Sequence, residues 1–367
     1  MRIAFVITEL NPGGAERCLT EVAIGLAENG DDVRVYSIDA RPSPDRSVLV
    51  DRLTQHGITV EFCDAISVWQ AFKARQRLRH LLKSFAPDIV QTFLYHANVI
   101  GTFAAKEACE AVRVGGIRVA EAKPIRCQLE RLAIKQMQHV VCVSEDVKAF
   151  AQKRLDASPS NTSVIPNGVD TVRFSTATPL NWSSLDWPSD CVVSLFVGRM
   201  HSQKGLELIQ AQMDRLAPAG SNRRVLLVGD GPLSKSIDAW CNGFADRRVK
   251  RLPYQADVAP FMTASRVFLL PSRYEGMPNV IMEAMAAGRP VVSSNVEGTH
   301  ELLAHSPELQ LFPSGDGEAM SAAAEHFLSN RELSDEIGMQ NQTRVRNDFS
   351  IPTMIDRYRA LYRLLRA

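Results

Sequence analysis

Short apolar runs alternate with longer stretches of helical periodicity along almost the whole chain. In the first half, runs at 2–7, 32–37, 59–62, 88–92, 117–120, 139–143 and 162–165 predict strands. Segments near 15–28, 47–56, 67–85, 97–112, 127–137 and 145–156 predict the helices between them. A repeated β-α-β order of this kind predicts a largely parallel sheet covered on both faces. The rhythm breaks at Pro166-Asn167-Gly168-Val169-Asp170, which reads as a turn. A segment containing Thr, Ser, Pro and Trp follows to about Asp190 and reads as a linker.

The pattern then restarts, with strands expected at 191–197, 224–228, 248–251, 266–270, 290–293 and 309–312. Helices are expected at 204–217, 232–244, 257–264, 279–287, 316–329, 331–346 and 352–366, the last entered through Pro352 near its first turn. The expected organisation is an α/β domain over 1–170, a linker over 171–190, a second α/β domain over 191–350, and the terminal helix. Two such domains in tandem imply a cleft lined by the carboxyl ends of parallel strands, where sheets of this type bind ligands.

Composition narrows the function classes. The 367 residues carry 42 basic and 41 acidic side chains, a formal net charge of +1, so no global field draws the chain to nucleic acid, and none is expected as a partner. Seven cysteines, odd in number and without a Cys-x-x-Cys pair, read as reduced thiols of a cytoplasmic protein, and neither they nor the eight histidines show metal-ligand spacing. The apolar start Met1 to Ile7 ends at Thr8-Glu9 with no small-residue cleavage site, so a buried first strand is expected there in place of a signal peptide. No apolar stretch is long enough to span a bilayer, and the sequons at Asn161, Asn181 and Asn341 are read as chance matches.

Candidate chemistry follows the strands. The first strand runs into Asn11-Pro12-Gly13-Gly14-Ala15-Glu16, where two glycines permit a tight turn and the next helix offers free amides to a phosphate; a plain strand-to-helix turn is the other reading. The pattern is neither a Gly-x-Gly-x-x-Gly fingerprint nor a Gly-Lys-Ser/Thr phosphate loop. Strand 191–197 ends in Gly198-Arg199, with Lys204-Gly205 five residues on. Two cations at one sheet edge suit a diphosphate and would stabilise charge on a leaving group; a solvated Arg and a helix-start Lys are the alternative, although a lysine there opposes the helix dipole.

Gly229-Asp230-Gly231-Pro232 reads as a backbone surface for an anionic or flat ligand, or as a turn. After strand 266–270, Glu275 lies in the loop and Glu283 inside the next helix, among Val280, Ile281, Met282 and Ala284. Gly276 and the amides near Asn279 could meet a phosphate or sugar, and a carboxylate accepts well from vicinal hydroxyls; an exposed Glu on a short amphipathic helix is the plainer reading. His96, just beyond strand 88–92, is placed to orient a hydroxyl or sugar oxygen, or to cap the next helix.

Taken together these residues resemble the retaining glycosyltransferases of GT-B fold, family 4 (group 1). The pieces are Gly13-Gly14-Ala15-Glu16, Val143-Ser144, Ile165-Pro166-Asn167-Gly168-Val169-Asp170, Gly198-Arg199 with Lys204-Gly205, Gly229-Asp230-Gly231-Pro232, the Glu275-x7-Glu283 element, and Glu297-Gly298 with Glu301-Leu302. The resemblance implies two Rossmann-like doubly wound parallel-sheet domains facing a central cleft. It implies an acceptor-binding first domain, a donor-binding second domain, and a last helix that crosses back to the first.

The implied donor is a UDP-sugar or GDP-sugar, with no separate cofactor. By resemblance Arg199 and Lys204 grip the diphosphate, Glu283 holds the ribose, and Glu275 contacts the transferred sugar. Gly276, Met277, Pro278, Asn279 and Val280 belong to the same donor-binding element, and Gly229, in its own loop, is a donor-binding residue as well. Gly14, beside Gly13, approaches the diphosphate, His96 faces the transferred sugar or acceptor, and the backbone around Arg251-Leu252-Pro253 meets the base edge. No Asp-x-Asp occurs, in keeping with a metal-independent enzyme whose cations are Arg199 and Lys204.

A glycan or lipid-linked saccharide acceptor is implied as well. Lys73, Arg75, Arg77, Arg79 and Lys83 share the helix at 67–85 with Phe72, Leu78, Leu81, Leu82 and Phe85. Such a helix suits the inner face of an anionic membrane, or equally a packed surface helix with a solvated basic side. Competing functions are a nucleotide-sugar epimerase or hydrolase of the same fold and a non-catalytic nucleotide-sugar sensor.

Overall fold

The computed structural model describes residues 1–65 and 70–366. Positions 67–69 of the helix expected from residue 67 lie outside the described residues. The chain divides into two units, Met1–Gly168 with Ile351–Ala367, and Val169–Ser350.

The first unit runs β1 (Arg2–Ile7), α1 (Gly14–Glu28), β2 (Asp32–Ser37), α2 (Val48–Gln55), β3 (Thr59–Phe62), α3 (Ala71–Phe85), β4 (Ile89–Phe93), α4 (Tyr95–Ala108), β5 (Val112–Ile117), α5 (Pro124–Ile134), β6 (His139–Cys142), α6 (Glu145–Leu155) and β7 (Thr162–Val164). Its seven strands are parallel in the order β3-β2-β1-β4-β5-β6-β7. Ile3 to Ile7 are all fully buried, because a central parallel strand meets helices on both faces.

The second unit runs α7 (Thr171–Ser175), β8 (Val192–Val197), α8 (Leu206–Ala211), α9 (Met213–Leu216), β9 (Arg223–Val228), α10 (Ser234–Asn242), β10 (Val249–Leu252), α11 (Ala259–Ala264), β11 (Val267–Leu270), α12 (Asn279–Ala286), β12 (Val291–Ser294), α13 (Thr299–Leu302), α14 (Pro307–Gln310), β13 (Leu311–Phe312), α15 (Gly317–Ser329) and α16 (Arg331–Asp348). Its six strands are parallel in the order β10-β9-β8-β11-β12-β13. The last helix, α17 (Ile351–Arg366), returns to the first unit, where it packs on α1 and buries Met354, Tyr358 and Tyr362. Tyr362 Oη there donates to Gln91 Oε1 at 3.1 Å.

Three expectations are corrected. The strand expected at 117–120 lies at Val112–Ile117. Gly115 and Gly116, outside the expected strand, both sit inside the observed one, where close neighbours leave no room for a Cβ. A Cβ on Gly116 would stand 2.6 Å from the Thr92 carbonyl oxygen, and one on Gly115 2.3 Å from Met137 Sδ. The helix expected over 204–217 is interrupted: Ser202–Lys204 form a single 3-10 turn, Gly205 is left-handed, and α8 and α9 follow separately. The linker expected over 171–190 is part of the second unit. There α7 packs on α11, α12 and α16, and Trp182 and Trp187 are buried with ring centroids 6.1 Å apart.

All seven cysteines are free thiols, six of them buried. Among the described residues no helix is long and apolar enough to cross a membrane.

Candidate nucleotide-sugar site

The two sheets each carry a topological switch point. In the second unit β8 lies between β9 and β11, so the loops leaving β8 and β11 part at the carboxyl edge. Those are the loops that hold Gly198-Arg199 and Glu275. The structure brings Lys204 and Glu275 together, with Lys204 Nζ 2.5 Å from Glu275 Oε1. Ser272 Oγ donates to the same oxygen at 2.6 Å. The two charged side chains are only 16% and 10% exposed, so the pair acts at lower dielectric than a surface salt bridge.

The two loops are stitched together further by Arg273 N donating to the Gln203 carbonyl at 2.8 Å and Gln203 Nε2 to the Tyr274 carbonyl at 2.9 Å. Lys204 thus does not cap a helix: the turn before Gly205 aims it across the loop. Arg199 is exposed at the end of β8, with no ion pair among the described residues. Its charge is available to an anion.

Gly276 to Pro278 lead from Glu275 into α12, which begins at Asn279 and has no side-chain cap at its amino end. Val280 is in its first turn, and Glu283 is buried one turn in. Gly229, with φ +134°, lets the loop after β9 pass against the Gly198 carbonyl.

In the first unit β1 lies between β2 and β4, so the loops after β1 and β4 occupy the equivalent position. Gly13 precedes α1 at its cap position with extended backbone and no side chain to fill the turn. The Glu16 carboxylate folds back into that space, with Oε2 2.2 Å from where a Gly13 Cβ would sit. After β4, Leu94 takes φ 72° and ψ 160°, a conformation costly for a residue with a side chain, and it turns the chain straight into α4. His96, second residue of that helix, is exposed, and the cap position belongs to Leu94. Burial of part of the ring and then Arg126 pull the His96 imidazole below its ordinary pKa, against the opposing pull of Asp39. Burial and Glu9 push the Asp39 carboxyl up.

Within electrostatic reach of Glu16 and Cys18 of α1 lies a group that sequence reasoning missed. Arg118 is buried, faces the Phe93 ring at 5.3 Å and donates to Asn167 Oδ1. It follows β5 at the same sheet edge, a position obscured when the strand is placed at 117–120. Burial raises the Glu16 pKa to about 7, only partly opposed by backbone hydrogen bonding and by Arg118. Between the unfolded value of about 4.5 and 7, the folded protein holds a proton that the unfolded chain has released, so stability falls as pH rises through this window. Glu16→Gln is expected to remove that slope and to make the protein more stable than the parent at pH 8, by up to about 3 kcal/mol. Urea unfolding of both proteins at pH 5 and pH 8 tests this, and equal slopes would contradict it.

HepE of Anabaena, solved in complex with UDP, superimposes with a TM-score of 0.84 over 98% of this chain and 99% of its own, at 21% identity. That is a likeness of fold. Residues 12–173 match the family described as Glycosyltransferase Family 4, and residues 192–330 the one described as Glycosyl transferases group 1. The chain is a GT-B fold glycosyltransferase resembling the family 4 and group 1 sugar transferases. It is 29% identical over 321 residues to the UDP-Gal:alpha-D-GlcNAc-diphosphoundecaprenol alpha-1,3-galactosyltransferase of Escherichia coli, covering 82% of this chain and 81% of that one. It is 25% identical over 354 residues to the lipopolysaccharide core biosynthesis glycosyltransferase LpsD of Rhizobium meliloti (strain 1021), covering 95% of each.

In this glycosyltransferase the Arg251 guanidinium is already engaged. It makes two bonds to the Asp238 carboxylate, of 2.5 and 2.8 Å, and donates to the Gly229 carbonyl at 2.8 Å and Asp230 Oδ1 at 2.9 Å. Asp230 Oδ2 in turn accepts from Tyr254 N at 2.7 Å. The side chain is a clamp on the glycine loop, which leaves the backbone as the part of Arg251 able to meet a base. The carbonyls of Arg248 and Leu252 accept from Val225 and Gly229 of the neighbouring chain segment. By the two-residue alternation of a strand, the N–H and C=O of Arg251 therefore face the open edge of the sheet, since β10 is an edge strand.

Proposed function

We propose that the protein is a retaining glycosyltransferase that moves a hexose or N-acetylhexosamine from a UDP-sugar or GDP-sugar to a hydroxyl of a glycan or lipid-linked acceptor. The observation that carries this reading is the Lys204–Glu275–Ser272 group beside Arg199, at the switch point of the second sheet. Arg199 and Lys204 are assigned to the donor diphosphate, where they stabilise charge as the leaving group departs without a metal ion. Glu275, held by Lys204 and Ser272, is assigned to hydroxyls of the transferred sugar, and Glu283 to the ribose. The amino end of α12, from Gly276 to Val280, is assigned to the diphosphate and sugar. The backbone of Arg251 and Leu252 is assigned to the base.

In the first unit Gly13 and Gly14 are assigned to the diphosphate, and His96 to the transferred sugar or acceptor. The bond from the anomeric carbon to the diphosphate oxygen breaks, and the acceptor oxygen bonds to the same face of that carbon. The acceptor proton passes to the departing phosphate. The placing of acceptors on lipid diphosphates and lipopolysaccharide cores by the curated relatives supports a lipid-linked acceptor here.

A donor screen by ligand-observed magnetic resonance tests the reading. One nucleotide sugar is expected to bind in preference to the others, and the product of its transfer is expected to keep the anomeric configuration of the donor. An inverted product would refute retention. Release of free sugar or an epimer in the presence of competent acceptors would favour the hydrolase or epimerase.

A further inference from the structure

The turn that carries Lys204 is capped by a histidine. His201 stands just before the single 3-10 turn Ser202–Lys204, with φ −141° and ψ 150°. Its Nδ1 accepts from Gln203 N at 3.1 Å. At such a position Ser, Thr, Asp or Asn ordinarily supplies the acceptor, through a side-chain oxygen. An imidazole nitrogen that accepts carries no proton, so the ring proton sits on Nε2 and the turn fixes the tautomer. The cap is the sole polar contact of this side chain among the described residues.

Chain on either side of the turn is anchored elsewhere. Before it, Met200 N donates to the Asp230 carbonyl at 3.0 Å, and the Met200 carbonyl accepts from Leu233 N at 2.9 Å. After it, Gly205 is left-handed, and a Cβ there would lie 2.0 Å from the Pro271 carbonyl oxygen. Between these anchors Gln203 is fastened at three points. Its carbonyl and its side-chain amide join the turn to Arg273 and Tyr274 of the Glu275 loop. Its N–H on His201, with Lys204 N on the His201 carbonyl at 2.9 Å, fixes the winding of the turn itself.

Winding decides where Lys204 points. A 3-10 turn rotates the side-chain direction by about 120° per residue, so even a small unwinding swings the next side chain through a large arc. Lys204 has no slack to absorb such a swing. Its Nζ meets Glu275 Oε1 at 2.5 Å, its side chain is mostly buried, and its Cε lies 3.8 Å from the place of a Cβ on Gly198. A Gln203 N–H that loses its acceptor turns to water, and the turn gives way at the residue preceding Lys204.

We propose that His201 is a positioning residue for sugar transfer: by accepting from Gln203 N, its Nδ1 sets the turn that aims the Lys204 ammonium at Glu275 and the donor diphosphate. The proposal rests on the reading of Lys204 as a diphosphate cation. The imidazole passes no proton in the reaction; it acts through Lys204 alone. An asparagine can replace it, because the Asn side-chain oxygen accepts at the same cap position. A leucine fills similar space and accepts nothing.

The test compares the full chain with His201→Leu and His201→Asn. His201→Leu is expected to lower kcat for transfer by about tenfold, with donor KM within about threefold of the parent, since a displaced charge-stabilising group costs rate more than binding. His201→Asn is expected to stay within about threefold of the parent in both constants. Amide hydrogen exchange gives a readout apart from activity: the Gln203 N–H is expected to exchange at least about fivefold faster in His201→Leu and at the parental rate in His201→Asn. His201→Ala, the second variant without an acceptor, is expected to match His201→Leu. Parental kcat in both acceptor-less variants, an Asn variant as slow as the Leu variant, or Gln203 exchange equal in all chains would each overturn the proposal. A parent whose Gln203 exchange depends on His201 but which transfers sugar from no nucleotide sugar sinks the transferase reading instead.

Discussion

Lys204→Met is expected to lower kcat/KM for sugar transfer by about 10²–10³-fold, the range seen when one preorganised charge-stabilising group is removed from a site. Methionine keeps most of the length and apolar stem of the lysine, whose Cε lies near Gly198, and deletes only the charge. Two effects follow from the loss. The donor diphosphate loses a cation where leaving-group charge develops, which lowers kcat. The Glu275 carboxylate, 2.5 Å from Lys204 Nζ and mostly buried, is left with Ser272 alone, which costs about 1–3 kcal/mol of stability. Lys204→Arg is not expected to restore transfer, because a planar fork does not replace a point charge at an oxygen that Ser272 also uses. Steady-state kinetics with thermal unfolding separates the effects. Arg199→Met provides the independent check, since Arg199 is exposed and makes no ion pair among the described residues, so its loss leaves the fold intact. If both variants transfer sugar within about twofold of the parent, the two cations do not serve the reaction.

The parallel sheets were legible because their strands are buried on both faces and stand out as apolar runs; Ile3 to Ile7 are an example. Strand order was open to general rules only, yet the loops carrying Gly13-Gly14, His96, Arg199 with Lys204, and Glu275 fall at the switch points of the two sheets, while the Gly229 loop and Arg251 belong to the neighbouring β9 and β10. What failed did so where tertiary contact overrides local chemistry. Gly115 and Gly116 fell outside the expected strand because nothing local reveals that the Thr92 carbonyl and Met137 crowd them. Trp182 and Trp187 were visible in the 171–190 stretch, but nothing local shows that both are buried.

Within the site, sequence could nominate Lys204 and Glu275 but could not show them joined across 71 positions with Ser272 on the same oxygen. At Arg251 the resemblance pointed to the backbone alone, and nothing local reveals that the guanidinium is spent on Asp238, Asp230 and the Gly229 carbonyl. Arg118 was missed altogether, since a buried cation at the end of a strand has no local pattern and is recognised only by what surrounds it.

Gly229→Ala is expected to destabilise the protein by at least about 3 kcal/mol and to abolish measurable donor binding. The residue sits at φ +134°, where any Cβ is strained, and that Cβ would lie 2.1 Å from the Gly198 carbonyl oxygen and 3.0 Å from its carbon. Neither side can yield. Gly198 N donates to the Val228 carbonyl and Gly229 N to the Leu252 carbonyl, both at 3.0 Å, while Arg251 holds the Gly229 carbonyl from the other side. Movement of this loop would displace Gly198 and with it the start of the Arg199 segment. Gly30→Ala separates strain from collision. Gly30 also has positive φ, at +87°, but no atom lies within 4 Å of its Cβ position, so only the backbone term of about 1 kcal/mol is expected, with donor binding unchanged. Urea unfolding and calorimetric titration of donor into both variants distinguish the two. Equal and mild effects would mean that the loops after β8 and β9 are free to part, and that their close approach does not set the donor site.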